Sequence, residues 1–338
     1  MTMITIDPDS PVPKYKQIIA SVIRAVEKGI LKRNEQLPSI NEMAEEHYLA
    51  RDTVEKAYNE LKEKGIIKSV RGKGYFIQAP DNKKIRVLLV LNKMSAYKKL
   101  IYYSFLETLG DNATVDLYIH HYNAVLFKEI WEENKGKYNY YVIMPHFFEG
   151  LEKIDVLALL EEIPKNELIL LDRDIAELTG DYLAIFQDFE KDIFRALESL
   201  DDLLQKYTEL VLIFPGDGNY PSEIIRGFRS YCVSYSKDSR IIEHAWDEII
   251  RPGSVYIVIQ ETVLTELIKK VRQTPLTLGQ DIGILSFNET TLKEVLADGI
   301  TVMTTDFETM GRTAAALLLD GKKIKVKNPF TVIRRNSL

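Results

Sequence analysis

The chain has 338 residues but is poor in the residues that make covalent and metal chemistry, with one cysteine, Cys232, and five histidines. A single cysteine excludes an intramolecular disulfide and suits a reducing compartment. The histidines stand at 47, 120, 121, 146 and 244 without metal-ligand spacing, and the adjacent His120 and His121 face apart on a strand. Neither a metal nor a cofactor is therefore expected. No apolar run approaches the ~20 residues that cross a bilayer. The N-terminal stretch MTMITIDPDSPVPKY lacks a basic segment followed by an apolar core, so a cytoplasmic protein is expected. Phosphate loops are missing too: Gly72-Lys73-Gly74 is too short, and Gly216-Asp217-Gly218 lacks a third glycine before a helix. Net charge is −6, which argues against a general nucleic-acid coat. The charge is unevenly spread, however. Residues 1–80 carry 13 Lys and Arg against 11 Asp and Glu, or +2, leaving −8 for the remainder.

The most informative stretch is Leu37–Ile77. Pro38 and the pair Ser39 and Glu42, three apart, form a capping box that should start a helix. A polar turn at Glu46–Tyr48 interrupts it, and a second helix follows from about Arg51 to Lys64. Val54, Ala57, Tyr58 and Leu61 recur at helical spacing as its buried face, and Gly65 stops it. Ile66–Val70 and Tyr75–Ile77 then flank Arg71-Gly72-Lys73-Gly74, a hairpin with a basic tip. An earlier helix should span about Val12 to Lys28, with Ile18, Val22, Ile23 and Val26 as its buried stripe. Helix, turn, helix and wing make a DNA-reading arrangement: the second helix fits the major groove, and the cationic tip reaches a minor groove or phosphates.

In order and spacing, PVPKYKQI (11–18), LPSINEMA (37–44), ARDTVEKAYNEL (50–61) and GIIKSVRGKGYFI (65–77) resemble the winged-helix head of GntR-family transcription regulators. The resemblance implies DNA contacts from Ser39, Asn41, Arg51, Asp52, Thr53, Lys56, Arg71 and Lys73. Three positions depart from the family pattern. Asn41 replaces a usual arginine, Ala50 replaces the serine that caps the recognition helix, and Glu55 replaces a frequent basic residue. These changes leave the fold expectation intact and separate the operator from those of relatives.

Pro80–Lys84 is polar and breaks periodicity, so domains are expected at 1–80 and 85–338. From Ile85 apolar runs alternate with amphipathic segments: 85–91, 115–120, 140–144, 168–171, 210–214, 255–259 and 282–287. Runs buried on both faces and separated by helices imply parallel sheets in an α/β fold. Ligands of such folds bind beyond the strands' carboxyl ends, here Lys93–Ser95, Pro145–Phe147, Asp172-Arg173, Pro215–Asp217, Gln260-Glu261 and Asn288-Glu289. Their polar and aromatic composition suits a polyol.

LLDRD (170–174), FQDFEKD (186–192), IIRGFRSY (224–231), LTLGQDIGILSFNET (276–290) and GITVMTTDFETMGRTAAALLLDG (299–321) resemble the effector domain of LacI/GalR regulators. That domain is similar to two-lobed, type I periplasmic sugar-binding proteins. The resemblance implies a ligand site formed by Arg173, Asp188 and Arg226, with Gln260 and Asn288 where the family has acidic residues. Tyr97, Phe147 and Phe186 become candidates to stack on a sugar ring. Replacing carboxylates by amides removes charge yet keeps hydrogen bonding, so a neutral sugar is expected; L-arabinose and L-fucose are guesses within that class, which these residues do not single out. The whole implies a homodimeric regulator, more a repressor than an activator, holding double-stranded operator DNA under sugar control. Two alternatives are an enzyme that kept a DNA-binding head, with Asp172, Asp217 or Glu261 as base, and a ligand-free DNA-binding scaffold.

Overall fold

The computed structural model describes residues 4–338 except 9, 11, 28, 79–83, 149–153 and 217–219. Most of the expected linker, together with Asp217 and Gly218, thus lies outside the described residues. The chain divides into two compact units: one takes in residues 1–87 with 111–114 and 134–140, the other the remainder.

The head runs α1 (Lys14–Glu27), α2 (Ile40–Glu46), α3 (Arg51–Glu63), β1 (Ile67–Val70) and β2 (Gly74–Ile77). The capping box forms as expected, with Ser39 Oγ accepting from Glu42 N–H and the Glu42 carboxylate from Ser39 N–H. Ala50 gives α3 no side-chain cap. Val54, Ala57, Tyr58 and Leu61 meet Ile18, Val22, Met43, Ile67 and Ile77 in one core. The α1 stripe differs from the expectation. Because α1 packs along α3, Ile19 and Ala25 complete it, while Ile23 and Val26 are half-buried against the same core. In the hairpin Ile67 pairs with Ile77 and Val70 with Gly74. Residues 34–37 lie along the free edge of β2 through Asn34 N–H to Ile77 O, Ile77 N–H to Glu35 O and Leu37 N–H to Tyr75 O, each 2.9 Å.

The α/β part runs β3 (Ile85–Leu91), α4 (Ala96–Leu109), β4 (Ala113–Ile119), α5 (Ala124–Asn134), β5 (Tyr140–Ile143), α6 (Val156–Glu162), β6 (Leu168–Asp172) and β7 (Leu183–Phe186). It continues with α7 (Phe189–Ser199), α8 (Asp201–Leu204), β8 (Glu209–Ile213), α9 (Glu223–Ser234), β9 (Asp238–Ile242), β10 (Ser254–Val258) and α10 (Glu261–Val271). It ends with β11 (Gly283–Phe287), α11 (Thr291–Val295), β12 (Thr301–Thr305), α12 (Phe307–Leu319), β13 (Lys325–Lys327) and β14 (Phe330–Ile333). Two six-stranded sheets result, ordered β13-β7-β6-β5-β3-β4 and β14-β12-β11-β10-β8-β9. In the second, only β14 runs antiparallel to its neighbour.

All seven apolar runs are strands. Their continuity has the expected cause: in β8, Leu210 and Leu212 enter one core while Val211 and Ile213 enter the core on the opposite face, and Val255, Ile257 against Tyr256, Val258 repeat this in β10. The strands β7, β9, β12, β13 and β14 were not expected. β9, β12 and β13 carry polar residues, as in DSRII, TVMTT and KVK, so no apolar run marks them, whereas the apolar run LAIF of β7 was visible in the sequence and was overlooked.

Each sheet is the centre of a lobe, and the chain crosses between lobes three times, after β7, β12 and β13. Thus α12 returns to pack on α4, whereas α7 packs on α9. Gly311 and Gly227 stand at these two helix contacts, where a Cβ would meet the backbone of Ile101 and of Glu190 respectively. The buried Asn328 ties the crossings together. Its N–H donates to Phe186 O at 2.7 Å, and its side-chain amide donates to Thr305 Oγ1 and Asp306 O at 2.9 Å.

Carboxylates on the helices have structural partners. Asp201 accepts from Tyr231 Oη–H, Asp202 pairs with Arg334, and Glu162 accepts from Trp131 Nε1–H. Cys232 is buried on a face of α9, and burial pushes its thiol pKa up.

Candidate nucleic-acid interface and effector cleft

Arg51, Asp52 and Lys56 are exposed on α3, Thr53 is half-exposed, and Ser39 and Asn41 are exposed at the start of α2. Arg71 and Lys73 are exposed at the hairpin tip, which turns through Gly72 (φ +74°) and Gly74 (φ +100°). Side chains from two helices and a wing are therefore presented on a compact frame. Lys56 is not wholly available, since its ammonium sits 4.2 Å from the centre of the Tyr15 ring and links α3 to α1.

The second feature lies between the lobes, a cavity of about 70 Å³. At 10–15 Å³ per water it holds roughly five to seven waters, which at ~30 Å³ of liquid each is the volume of one small sugar. The first lobe contributes Asn92, Lys93, Tyr97, Lys98, His146, Asp172 and, from the start of α12, Phe307. From the second come Phe189, Tyr220, Ile224, Phe287 and Asn288.

A buried ionic cluster organises the first-lobe wall. The Lys98 ammonium lies 2.7 Å from Asp172 Oδ2, His146 Nε2 lies 3.0 Å from the same oxygen, and Gln187 Nε2–H donates to Asp172 Oδ1. Burial opposes the charged carboxylate, but the Lys98 charge and the His146 hydrogen bond outweigh it and hold the Asp172 pKa well below the usual carboxylate range. Burial outweighs the hydrogen bond with Asp172 and pushes the His146 pKa down. Both oxygens of Asp172 are occupied and its proton affinity is low, so the cluster holds charge in place and is poorly suited to act as a base. Beside it, Tyr97 and Phe307 stack at 4.9 Å and 25°.

Asp172 and Asn288, at the ends of β6 and β11, both have left-handed backbones, φ +73° and +61°. Such strain is concentrated at functional sites. The Asn288 turn is held from behind by buried Lys293, whose ammonium donates to Phe287 O and Asn288 O, each at 2.7 Å. Burial lowers the Lys293 pKa to about 8.

Of the expected ligand residues, the cavity wall contains Tyr97 and Asn288. Arg173 donates to Glu223 Oε1 at 3.3 Å across the lobes, and Arg226 pairs with Glu190 at 2.9 Å. Asp188 caps α7 and pairs with Lys191 at 2.9 Å. Phe147 lies 4.5 Å from the His120 ring in the first lobe. Gln260 lines a separate, more open hollow of about 340 Å³ with Glu243, His244 and Trp246. Phe186 is half-buried at the end of β7. Among the described residues no cluster of three His, Cys, Asp or Glu could hold a metal ion, and no helix is long and apolar enough to cross a membrane.

Residues 14–77 match the family described as "Bacterial regulatory proteins, gntR family". The chain is 40% identical over 97 residues to the HTH-type transcriptional repressor YtrA of Bacillus subtilis (strain 168), covering 29% of this chain and 72% of that protein. The chain belongs to the GntR family. Three further curated regulators are matched over 75 to 88 residues, 21% to 36% of their own lengths. The trehalose repressor from Escherichia coli superposes with a TM-score of 0.61 at 15% identity, over 74% of this chain and 100% of that one. A regulator titled CelR, in complex with cellobiose, gives 0.60 at 12% identity over 89% and 100%. These two likenesses establish the fold: a two-lobed, periplasmic-binding-protein-like α/β domain follows the winged-helix head.

This GntR-family chain is a DNA-binding regulatory protein. In its cleft, sequence reasoning missed Lys98, Gln187, Phe307 and the supporting Lys293. His146 and Asp172 were visible as strand-end residues, though no local signal joined them. Lys98 is on a helix, where a lone lysine ordinarily reads as solvated.

Proposed function

We propose that this regulator represses transcription by binding a two-fold operator as a homodimer in the cytoplasm, and that a small neutral sugar in the interlobe cleft weakens that binding. The observation that carries the reading is the cavity itself, of sugar size, walled from both lobes by aromatic rings and amides. The charges of Lys98 and Asp172 cancel within its wall, which suits a polyol at that side, while Lys93 adds a cation 5.8 Å from the centre of the Tyr122 ring. The two structural neighbours, a trehalose repressor and a regulator in complex with cellobiose, support a saccharide. The mechanism needs only that the sugar bind one lobe arrangement more tightly than the other, with the DNA preferring the second. In this reading Ser39, Asn41, Arg51, Asp52, Thr53, Arg71 and Lys73 face DNA, and Tyr97 and Asn288 face the sugar.

A thermal-shift screen of the full chain against neutral monosaccharides, sugar phosphates and nucleotides tests this. One neutral sugar at 100 times its Kd should stabilise the protein by about 2.7 kcal/mol. The same sugar should release a footprinted operator, and Asn288→Ala should blunt that release while leaving DNA binding intact. Stabilisation by phosphorylated compounds alone would overturn the neutral-ligand reading, and a footprint strengthened by sugar would reverse the sign of regulation.

A further inference from the structure

We infer that Gln36 is a positioning residue for the wing: by holding the Lys73 carbonyl it sets the pose in which the hairpin tip meets DNA. The inference rests on the DNA binding of the head and is independent of the effector.

A two-stranded hairpin is marginal by itself, and β1 and β2 are four residues each. The backbone of residues 34–37 steadies β2 from its outer side but runs only as far as Leu37 N–H to Tyr75 O and a bridge between Gln36 and Phe76. The tip, Arg71–Lys73, lies beyond this support. Two hydrogen bonds reach Lys73: its N–H donates to Val70 O at 2.9 Å, closing the hairpin's own turn, and the Gln36 side-chain amide donates to its carbonyl at 2.8 Å. The second bond comes from outside the hairpin and bridges 37 positions of sequence.

Gly74 makes room for it. With φ +100° this residue favours glycine, and a Cβ there would stand 3.2 Å from Gln36 Nε2, tighter than ordinary contact. Gln36 is followed directly by Leu37, Pro38 and the capping Ser39 of α2. One short segment therefore both starts the first helix of the reading motif and pins the wing tip. Without the Gln36 donor the turn keeps its own bond but can pivot about β2, and the Lys73 and Arg71 cations lose a fixed direction.

The test uses the full chain and, as probe, a fluorescein-labelled 24-bp duplex of mixed sequence, followed by anisotropy between 50 and 200 mM salt. Gln36→Met keeps the side chain's length and removes the donor. Lys73→Ala removes the cation. Each phosphate contact contributes about 0.9 to the slope of log K against log salt. Lys73→Ala should therefore flatten the slope by about 0.9 and weaken binding roughly five- to tenfold at 0.1 M salt. Gln36→Met should flatten it by most of that amount with an unchanged melting temperature, and the double variant should bind no worse than Lys73→Ala alone. A structural role without positioning would leave the slope unmoved. The inference fails if Gln36→Met keeps the parental slope, if the two losses add, or if Lys73→Ala has no effect. A parent chain that ignores the duplex altogether would instead count against the DNA-binding head.

Discussion

Lys98 carries an ammonium into a site that is 4% exposed, and only the Asp172 carboxylate and the two flanking rings make that tolerable. Removing one partner of a buried pair leaves the other uncompensated, so Lys98→Met should cost about 3–5 kcal/mol in urea unfolding. Asp172→Asn together with Lys98→Met should recover part of that loss. A second buried group makes stability depend on pH. His120 is fully buried against Phe127 and Phe147, and burial lowers its pKa to about 4. The unfolded chain then binds this proton more readily than the folded one. Stability is fully present above about pH 6.5 and falls by roughly 3 kcal/mol as pH drops to 4. His120→Phe should flatten that limb of a denaturation-against-pH curve, leaving the part due to His146, while the loss from Asp172 begins only below about pH 4. At this scale the sequence is half legible. Asp172, His146 and Asn288 stand just past apolar runs, where a strand-end rule finds them. The fates of Arg173 and Arg226 could not be read, because their partners Glu223 and Glu190 lie 50 and 36 positions away.

Among the elements, the helix contacts are set by missing side chains. Gly311→Ala would drive a methyl into Ser104 and the Ile101 backbone where α12 crosses α4, and should destabilise the chain by about 1–3 kcal/mol in calorimetry. Ser39→Ala should cost about 1 kcal/mol through the lost cap of α2, and a loss near zero would remove the capping box from the account. The head was readable almost to the residue because its signals are local: a capping box, a 3.6-residue stripe, two glycines in a basic turn. The α/β part was readable where strands are continuous apolar runs and silent at β13 and β14. The three residues of Lys325–Lys327 acquire strand geometry by lying beside β7, which tertiary contact dictates and composition does not.

For the whole molecule, two-fold operator binding requires a dimer surface, and α4 exposes Leu100 and Tyr103 one turn apart. If the proposed homodimer forms there, Tyr103→Glu should shift sedimentation from dimer to monomer and weaken operator binding, with any affinity of the cleft for a sugar retained. An unchanged dimer would move the interface elsewhere. The triple crossing of the chain bears on a different matter, the order in which the protein can be made. The head is complete in the nascent chain by about residue 78, and most of the first lobe by Phe186. Yet the helix that covers α4 and the strand that closes the edge at β7 are translated only after nearly all of the second lobe. On the ribosome the first lobe must wait with an uncovered helix face and an open sheet edge until Lys327 emerges. The two lobes therefore mature together, in the last moments of synthesis, behind a head that has long been folded.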